Sequence, residues 1–141
     1  MELRCADMTS PAPASGHCEC GAVRFTIAGP LSDVVNCHCS QCRRIHGHVG
    51  AFTECALSDL VFAGQRGLRW YQSSATVRRG FCGYCGSSLF WQKTGDHMIS
   101  VAAGCLDKPT GLKTASHIFV ADRGDYYEIT DGLKQAAGWD R

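Results

Sequence analysis

The chain has 141 residues, 45% of them hydrophobic and 19% charged, a composition typical of a single soluble globular domain. Its 14 basic and 13 acidic residues give a formal net charge of +1, so the charge gives no reason to expect binding to nucleic acid or to a membrane surface. No apolar run approaches the roughly 20 residues that are needed to span a bilayer.

The N-terminal segment is rich in Pro, Ala and Ser, and it predicts a flexible extension over residues 1–15 in front of one domain at residues 16–141. Arg4 is its single early positive charge, and it lacks an apolar run, so a secretory signal is not predicted. We therefore expect a cytoplasmic protein. In that reducing setting its ten cysteines are interpreted as thiols and metal ligands rather than disulfides.

The rest of the chain has the pattern of short strands. In residues 21–27, apolar Val23, Phe25 and Ile27 alternate with Arg24 and Thr26, as in a half-buried strand. One helical turn is expected at residues 41–45, which the nearby glycines keep short. Further strands are predicted at residues 51–56, 60–62, 68–71, 77–81, 89–91, 98–101, 117–120 and 126–129. Their spacing of roughly ten residues, with Gly, Asp and Ser between them, predicts a mainly β fold.

Seven of the cysteines lie in three close-set groups. The groups are Cys18 and Cys20, then Cys37, Cys39 and Cys42, then Cys82 and Cys85. A structural zinc takes four protein ligands, whereas a catalytic zinc keeps one position open, so seven thiolates divide naturally into four plus three. We therefore predict two zinc sites, one structural and one open or labile.

The Cys82/Cys85 pair lies on a glycine-rich turn, which is typical of structural zinc. Its two further ligands are either Cys18 and Cys20 or two members of the middle group, and spacing alone leaves both choices open. The cysteines outside the groups are not assigned to metal; they are Cys5, Cys55 and Cys105.

The middle group raises a second alternative. If His38, His46 or His48 supplies a fourth ligand, the site is closed and structural. If none does, the cluster leaves a coordination position for an incoming thiol, which a dication would deprotonate.

The order of these motifs resembles the glutathione-dependent formaldehyde-activating enzyme family over about residues 16–133. The matching segments are residues 16–25, 37–43, 79–91, 103–107, 117–118 and 128–132. The resemblance implies an Mss4-like fold, a β-tent of short antiparallel strands stapled by zinc. It also implies the division of the metal ligands: Cys18, Cys20, Cys82 and Cys85 for the structural zinc, and Cys37, Cys39 and Cys42 for the second.

The same resemblance implies a carbon–sulfur lyase that joins glutathione or a related thiol to formaldehyde or another small aldehyde. Cys37, Cys39 and Cys42 would then form the catalytic centre. Arg43 and Arg44 directly follow Cys42 and are candidates to bind the carboxylates of glutathione through bidentate contacts, although a solvated basic turn is the alternative.

Two histidines have alternative interpretations. His38 is a candidate for proton transfer, since imidazole titrates near neutrality, and an ordinary packed residue is the alternative. His117 opens an apolar strand and is expected to be structural. The chain also departs from the family pattern, with Tyr126 and Tyr127 where a Trp is usual and Lys134 where a Pro is frequent, which leaves the identity of the ligand pocket open.

Two other classes of function fit the same residues. The protein could be a carrier that binds a thiol at zinc without accelerating a reaction. It could also be a zinc-stapled module for protein interaction. The oligomeric state is not predicted.

Overall fold

A computed structural model describes residues 13–140 of the chain. Within that range the chain forms eleven β-strands, one short α-helix and three 3₁₀ turns. The mainly β architecture expected from the sequence is confirmed. No helix among residues 13–140 is long and apolar enough to cross a membrane.

The strands are short. In chain order they are β1 Ala14–His17, β2 Val23–Ile27, β3 Val34–Cys37, β4 Gly50–Ala56, β5 Leu60–Gln65, β6 Leu68–Gln72, β7 Val77–Cys82, β8 Ser88–Lys93, β9 Met98–Ala102, β10 Thr114–Ile118 and β11 Lys134–Gln135. The helix, α1, is Ser40–His46, and the 3₁₀ turns are Leu57–Asp59, Ala103–Cys105 and Val120–Asp122.

These strands form two sheets. A three-stranded antiparallel sheet has the order β1-β2-β5, and an eight-stranded sheet has the order β11-β10-β3-β4-β9-β8-β7-β6. The larger sheet is antiparallel except at β10, which pairs in parallel with both β3 and β11. The chain passes from one sheet to the other three times, between β2 and β3, between β4 and β5, and between β5 and β6.

The core lies between the two sheets. Val23, Phe25 and Ile27 of β2 are buried while the residues between them are exposed, so the predicted alternation is confirmed. Phe25 meets Phe90 of β8 edge to face, with ring centroids 5.2 Å apart. Aromatic contacts of this kind add about 0.5–1.5 kcal/mol beyond area burial, and here they join one sheet to the other.

The helix carries two cysteines of the middle group, Cys39 and Cys42. Cys39 is its N-cap, and Gly47, in the left-handed region at φ 81°, ends it by donating its N–H to the carbonyl of Arg43. The single helical turn predicted at residues 41–45 is therefore confirmed, with one further residue at each end.

Several boundaries differ from the sequence prediction. The strand predicted at residues 117–120 instead ends at Ile118, because Phe119 turns at φ 56° into a 3₁₀ turn. The strand predicted at residues 126–129 is wrong. Its tyrosines bond with histidines rather than with a neighbouring strand.

The predicted N-terminal extension also overlaps β1. Ala14 and Ser15 pair with Ile27 and Thr26 of β2, so strand structure begins before residue 16. Residues 1–12 lie outside the described range, and the division into an extension and one domain stays a prediction.

Candidate metal centres

The first and third cysteine groups meet between the two sheets. Cys18 and Cys20 lie in the turn from β1 to β2, while Cys82 ends β7 and Cys85 follows in the turn to β8. Their four Sγ atoms lie within 4.8 Å of one another. The structure therefore brings Cys82 and Cys85 together with Cys18 and Cys20 rather than with the middle group.

Tight turns and hydrogen-bond donors shape this four-cysteine cluster. Gly21 and Gly86 each follow the last cysteine of their pair with φ 82°, a conformation that glycine adopts without a steric penalty. The Val23 N–H donates to Cys18 Sγ at 3.3 Å. A hydrogen bond from the Ser87 hydroxyl, with the backbone N–H of the same residue, lowers the pKa of Cys85 to about 5. Such donors favour the thiolate form that a metal requires.

The middle group forms a second, three-cysteine cluster. Cys37 ends β3, Cys39 caps α1, and Cys42 is buried in the first turn of α1. Their Sγ atoms also lie within 4.8 Å of one another. The backbone N–H of Cys42 donates to Cys39 Sγ at 3.3 Å, which is an N-cap contact made by sulfur.

The three thiols of this cluster strongly influence one another. Hydrogen bonds from Cys37 and Cys42 lower the pKa of Cys39 to about 2, against the opposing effect of burial. The hydrogen bonds that Cys37 makes to Cys39 and Cys42 raise its own pKa, and burial adds to this. The three thiols therefore titrate as one coupled group rather than as independent residues.

None of the candidate histidines joins the three-cysteine cluster. Among residues 13–140, its group of ligand atoms consists of the three sulfurs alone. His38 Nε2 hydrogen-bonds His117 Nδ1 at 2.9 Å, and His38 Nδ1 bonds the Tyr127 hydroxyl. His48 bonds the hydroxyl of Tyr126 at 2.7 Å.

His46 lies closer to the cluster but faces Phe52, with ring centroids 5.3 Å apart. Its Nε2 is buried and has no hydrogen-bond partner. Burial, together with the charge of Arg79, lowers its pKa, so the imidazole is neutral near pH 7. The described part of the chain therefore leaves the three-cysteine cluster with three protein ligands.

Arg79 is the polar neighbour that sequence reasoning did not assign to the site. It lies on β7, only 7% exposed, and both terminal nitrogens of its guanidinium group lie 3.7 Å from Cys42 Sγ. The only sequence signal was its place in the motif that leads to Cys82, which says nothing about Cys42.

Arg43 and Arg44, the arginines expected to bind substrate, lie in the last turn of α1. Arg44 is exposed, whereas Arg43 is half-buried with an Nε that lacks a hydrogen-bond partner. Cations in this position are stabilised by the helix dipole, so their placement also has a structural explanation. Their role toward substrate stays a prediction.

A cleft of about 290 Å³ shares Arg79 with the surroundings of Cys42, although none of the three cysteines lines it. Its walls include Ile45, His46, Phe52, Arg79, Phe81 and Phe90. Phe81 and Phe90 contribute aromatic rings to this lining. A mostly apolar cleft with a few polar groups is the usual form of a small-molecule site.

Of the cysteines that were not assigned to metal, the two that the structure describes belong to neither cluster. Cys55 is fully buried in the core, and Cys105 donates its thiol to the carbonyl of Ser88. Cys5 lies outside the described residues.

The two donor sets fit metal ions of the zinc type. All seven ligand atoms are sulfur, and soft thiolates select soft or borderline metals over magnesium or calcium. Four sulfurs suit a closed tetrahedral site, and three suit a site with one position free.

Comparison with known proteins agrees with this arrangement. The profile of the glutathione-dependent formaldehyde-activating enzyme family matches residues 13–122. A Halomonas elongata protein, whose name provisionally assigns it to the glutathione-dependent formaldehyde-activating enzymes, is 28% identical over 127 residues, which cover 81% of this chain and 79% of that protein. A crystal structure of a Rhodobacter sphaeroides protein is 28% identical and matches with a TM-score of 0.58, covering 71% of this chain and 97% of that one.

Proposed function

This chain belongs to the glutathione-dependent formaldehyde-activating enzyme family, and from that premise we propose that it condenses a thiol with a small aldehyde. Glutathione or a close relative is the proposed thiol, and formaldehyde the first candidate aldehyde. The observation that carries the proposal is a cluster of three sulfurs with no fourth ligand among residues 13–140. Arg79, which contacts Cys42 of that cluster, also lines a cleft.

The proposed reaction forms one carbon–sulfur bond and needs no further reactant. The thiol loses its proton, its sulfur attacks the carbonyl carbon, and the carbonyl oxygen takes up a proton to become a hydroxyl group. The product is a hydroxymethyl thioether when the aldehyde is formaldehyde. The reverse reaction cleaves the same bond, so the activity is that of a carbon–sulfur lyase.

We propose zinc for both clusters. Cys18, Cys20, Cys82 and Cys85 would hold the structural ion. Zinc at Cys37, Cys39 and Cys42 would supply a Lewis acid with one open position, where a thiol is deprotonated near neutral pH.

The chain's own residues provide the surroundings of that open site. The N-cap contact of Cys39 and the burial of Cys42 hold two of the sulfurs in place on α1. Arg43 and Arg44 are proposed to bind the carboxylates of the tripeptide, since a guanidinium group pairs with a carboxylate in bidentate fashion. The apolar walls of the cleft would exclude water from the aldehyde, and a cytoplasmic location, where glutathione is available, is part of the proposal.

The test is the rate of adduct formation. Exchange between ¹³C-labelled formaldehyde and glutathione, followed by NMR, should be faster with the zinc-loaded protein than the spontaneous exchange. Cys39→Ser should abolish the acceleration, because serine keeps the helix cap but removes one thiolate. A protein that binds glutathione without accelerating exchange for formaldehyde or larger aldehydes would be a carrier, and the enzyme proposal would then be wrong.

A further inference from the structure

Arg79 is a buried cation without a carboxylate partner. Its side chain is 7% exposed, and no Asp or Glu within residues 13–140 forms an ion pair with it. Burial of an isolated charge is costly unless the charge is paired and hydrogen-bonded. The guanidinium group therefore needs a negative charge from another source.

The three-cysteine cluster supplies that charge. Both terminal guanidinium nitrogens lie 3.7 Å from Cys42 Sγ, which is a forked contact to one sulfur. One of them also donates to the side-chain oxygen of Gln41 at 3.0 Å, and the Gln41 amide donates in turn to the carbonyl of Ser73. The planar guanidinium is thus held in one orientation, aimed at the sulfur.

The charges balance when a divalent metal is bound. Three thiolates and one dication leave a single negative charge, and the guanidinium group neutralises it. We propose that Arg79 is the counter-charge of the three-cysteine centre, a positioning residue whose guanidinium group faces Cys42 Sγ and stabilises the metal bound there. The inference rests on the proposed function only in taking these three cysteines as metal-binding thiolates.

A further consequence concerns the fourth ligand. An incoming thiolate would add a second excess negative charge to the centre. The positive charge of Arg79 offsets part of it and so reduces the repulsion between the centre and the thiolate. The hydrogen bonds also draw electron density from Cys42 Sγ. Partners of this kind beyond the ligands themselves typically change metal affinity about 10- to 100-fold.

Zinc affinity is the direct test. The metal-free protein is loaded with zinc in competition with a chromogenic chelator, for the wild type and for Arg79→Met, Arg79→Gln and Arg79→Lys. We expect Arg79→Met and Arg79→Gln to lower the zinc affinity of the three-cysteine cluster about 10- to 100-fold and to leave the affinity of the four-cysteine cluster unchanged. Arg79→Lys, which keeps the charge, should recover a clear part of the loss.

Arg78→Met is the matched control. Arg78 is the exposed neighbour, and its guanidinium stacks 3.9 Å from the Trp70 ring instead of facing the cluster. Its variant should bind both ions as the wild type does. Unchanged affinity in Arg79→Met, equal losses at both sites, or equal effects of Gln and Lys would each overturn the proposal.

A spectroscopic signature separates this role from general support of the fold. With Co²⁺ in the three-cysteine centre, the sulfur-to-metal charge-transfer bands should shift in Arg79→Met, because the donors to Cys42 Sγ are gone. Bands that stay in place would contradict the proposal. The zinc and cobalt measurements use neither a thiol substrate nor an aldehyde. Their outcome therefore does not depend on whether the protein accelerates the condensation reaction.

Discussion

At the scale of single residues, the most informative feature is a chain of hydrogen bonds through two buried histidines, which ends at the exposed Asp131. Asp131 accepts from His117 at 2.7 Å, His117 bonds His38, and His38 accepts from the Tyr127 hydroxyl. The carboxylate determines the tautomer of each ring in turn, since every donor must meet an acceptor. His38 therefore fixes the backbone between Cys37 and Cys39 through its hydrogen bonds to His117 and Tyr127, and neither of its ring nitrogens is directed to the cysteine sulfurs.

The surroundings of His38 in this chain disfavour a positive charge on its ring. Burial lowers the pKa of His38, and the neighbouring His117 lowers it further. His38 is buried and hydrogen-bonds the Tyr127 hydroxyl. The sequence indicated a polar role for this histidine but could not indicate its partner. The prediction of a structural His117 agrees with its position in this chain.

Asp131→Asn tests the chain through its pH dependence. The backbone N–H of Leu133, followed by His117, lowers the pKa of Asp131 below its ordinary value of 3.8. A lowered carboxyl pKa stabilises the fold above the unfolded-state pKa, and the effect is lost as the pH falls through the folded-state value. Asp131→Asn should thus lower the free energy of unfolding equally at pH 7 and 5.5, with a difference that shrinks below about pH 4.

Urea unfolding of both proteins at each pH provides the measurement. Acid also releases metal from thiolates, which lowers both curves, so the difference between the proteins is the quantity to compare. Asp125→Asn, at an exposed position of the same loop, is the control. A difference that grows toward low pH would contradict the assignment.

At the scale of elements, one glycine beside each cluster lets a neighbouring stretch of backbone approach the sulfurs closely. A Cβ at Gly67, between β5 and β6, would lie 2.7 Å from Cys82 Sγ. A Cβ at Gly50, the first residue of β4, would lie 2.8 Å from the Phe52 ring and 3.1 Å from Cys42 Sγ. The strands adjoining each cluster are therefore packed against the sulfurs with no room for a methyl group.

Two alanine substitutions should consequently affect different metal ions. Gly67→Ala should disturb the four-cysteine cluster and Gly50→Ala the three-cysteine cluster, each at a cost of about 1–3 kcal/mol typical of overpacking. Metal content after mild chelation, measured together with the thermal unfolding midpoint, distinguishes the two. Gly104→Ala, where a Cβ would meet no atom within 4 Å, is the control. Loss of the same ion in both variants would show that the clusters are not independent.

Strand prediction succeeded where alternation was long and failed where side chains formed tertiary contacts. The β2 strand has three buried residues in alternation and is confirmed. The segment at residues 126–129 has the same strand-forming residue types, but Tyr126 and Tyr127 bond to His48 and His38. β-Propensity describes a fit to a half-buried surface, so it cannot tell a strand from an aromatic loop packed on a site.

At the scale of the whole molecule, the four-cysteine cluster links the two sheets. Cys18 and Cys20 belong to the small sheet's first turn, whereas Cys82 and Cys85 belong to a turn of the large sheet. A metal held by both turns closes a long loop and restricts the unfolded chain. The three-cysteine cluster, in contrast, joins β3 to α1 within one stretch of chain.

Removal of one ligand from each cluster should therefore have unequal effects on stability. Cys20 is exposed, so Cys20→Ser removes a ligand without leaving a cavity, and we expect a loss of more than about 3 kcal/mol, since structural zinc sites contribute directly to folding. Cys39→Ser should lose the second ion but remain folded. Thermal unfolding with metal analysis compares the two variants. Equal destabilisation would refute the division into a structural and a functional ion.

The sequence alone determined the local features of this protein: the cysteine groups, the turn glycines and the strands with clear alternation. Local spacing is sufficient for these because they depend on neighbours along the chain. The family resemblance, carried by the order of those groups, implied how the cysteines divide between two sites.

Only the tertiary structure decided which groups face one another. It brought Cys82 and Cys85 to Cys18 and Cys20, turned His38 toward His117 and Tyr127, and placed Arg79 against Cys42 across 37 residues of sequence. These contacts follow from the register of strands that are far apart in the chain, where a shift of one residue would turn every side chain to the opposite face. Burial then gave Arg79 its role, because an unpaired guanidinium group inside the protein requires the negative charge of the cysteine cluster.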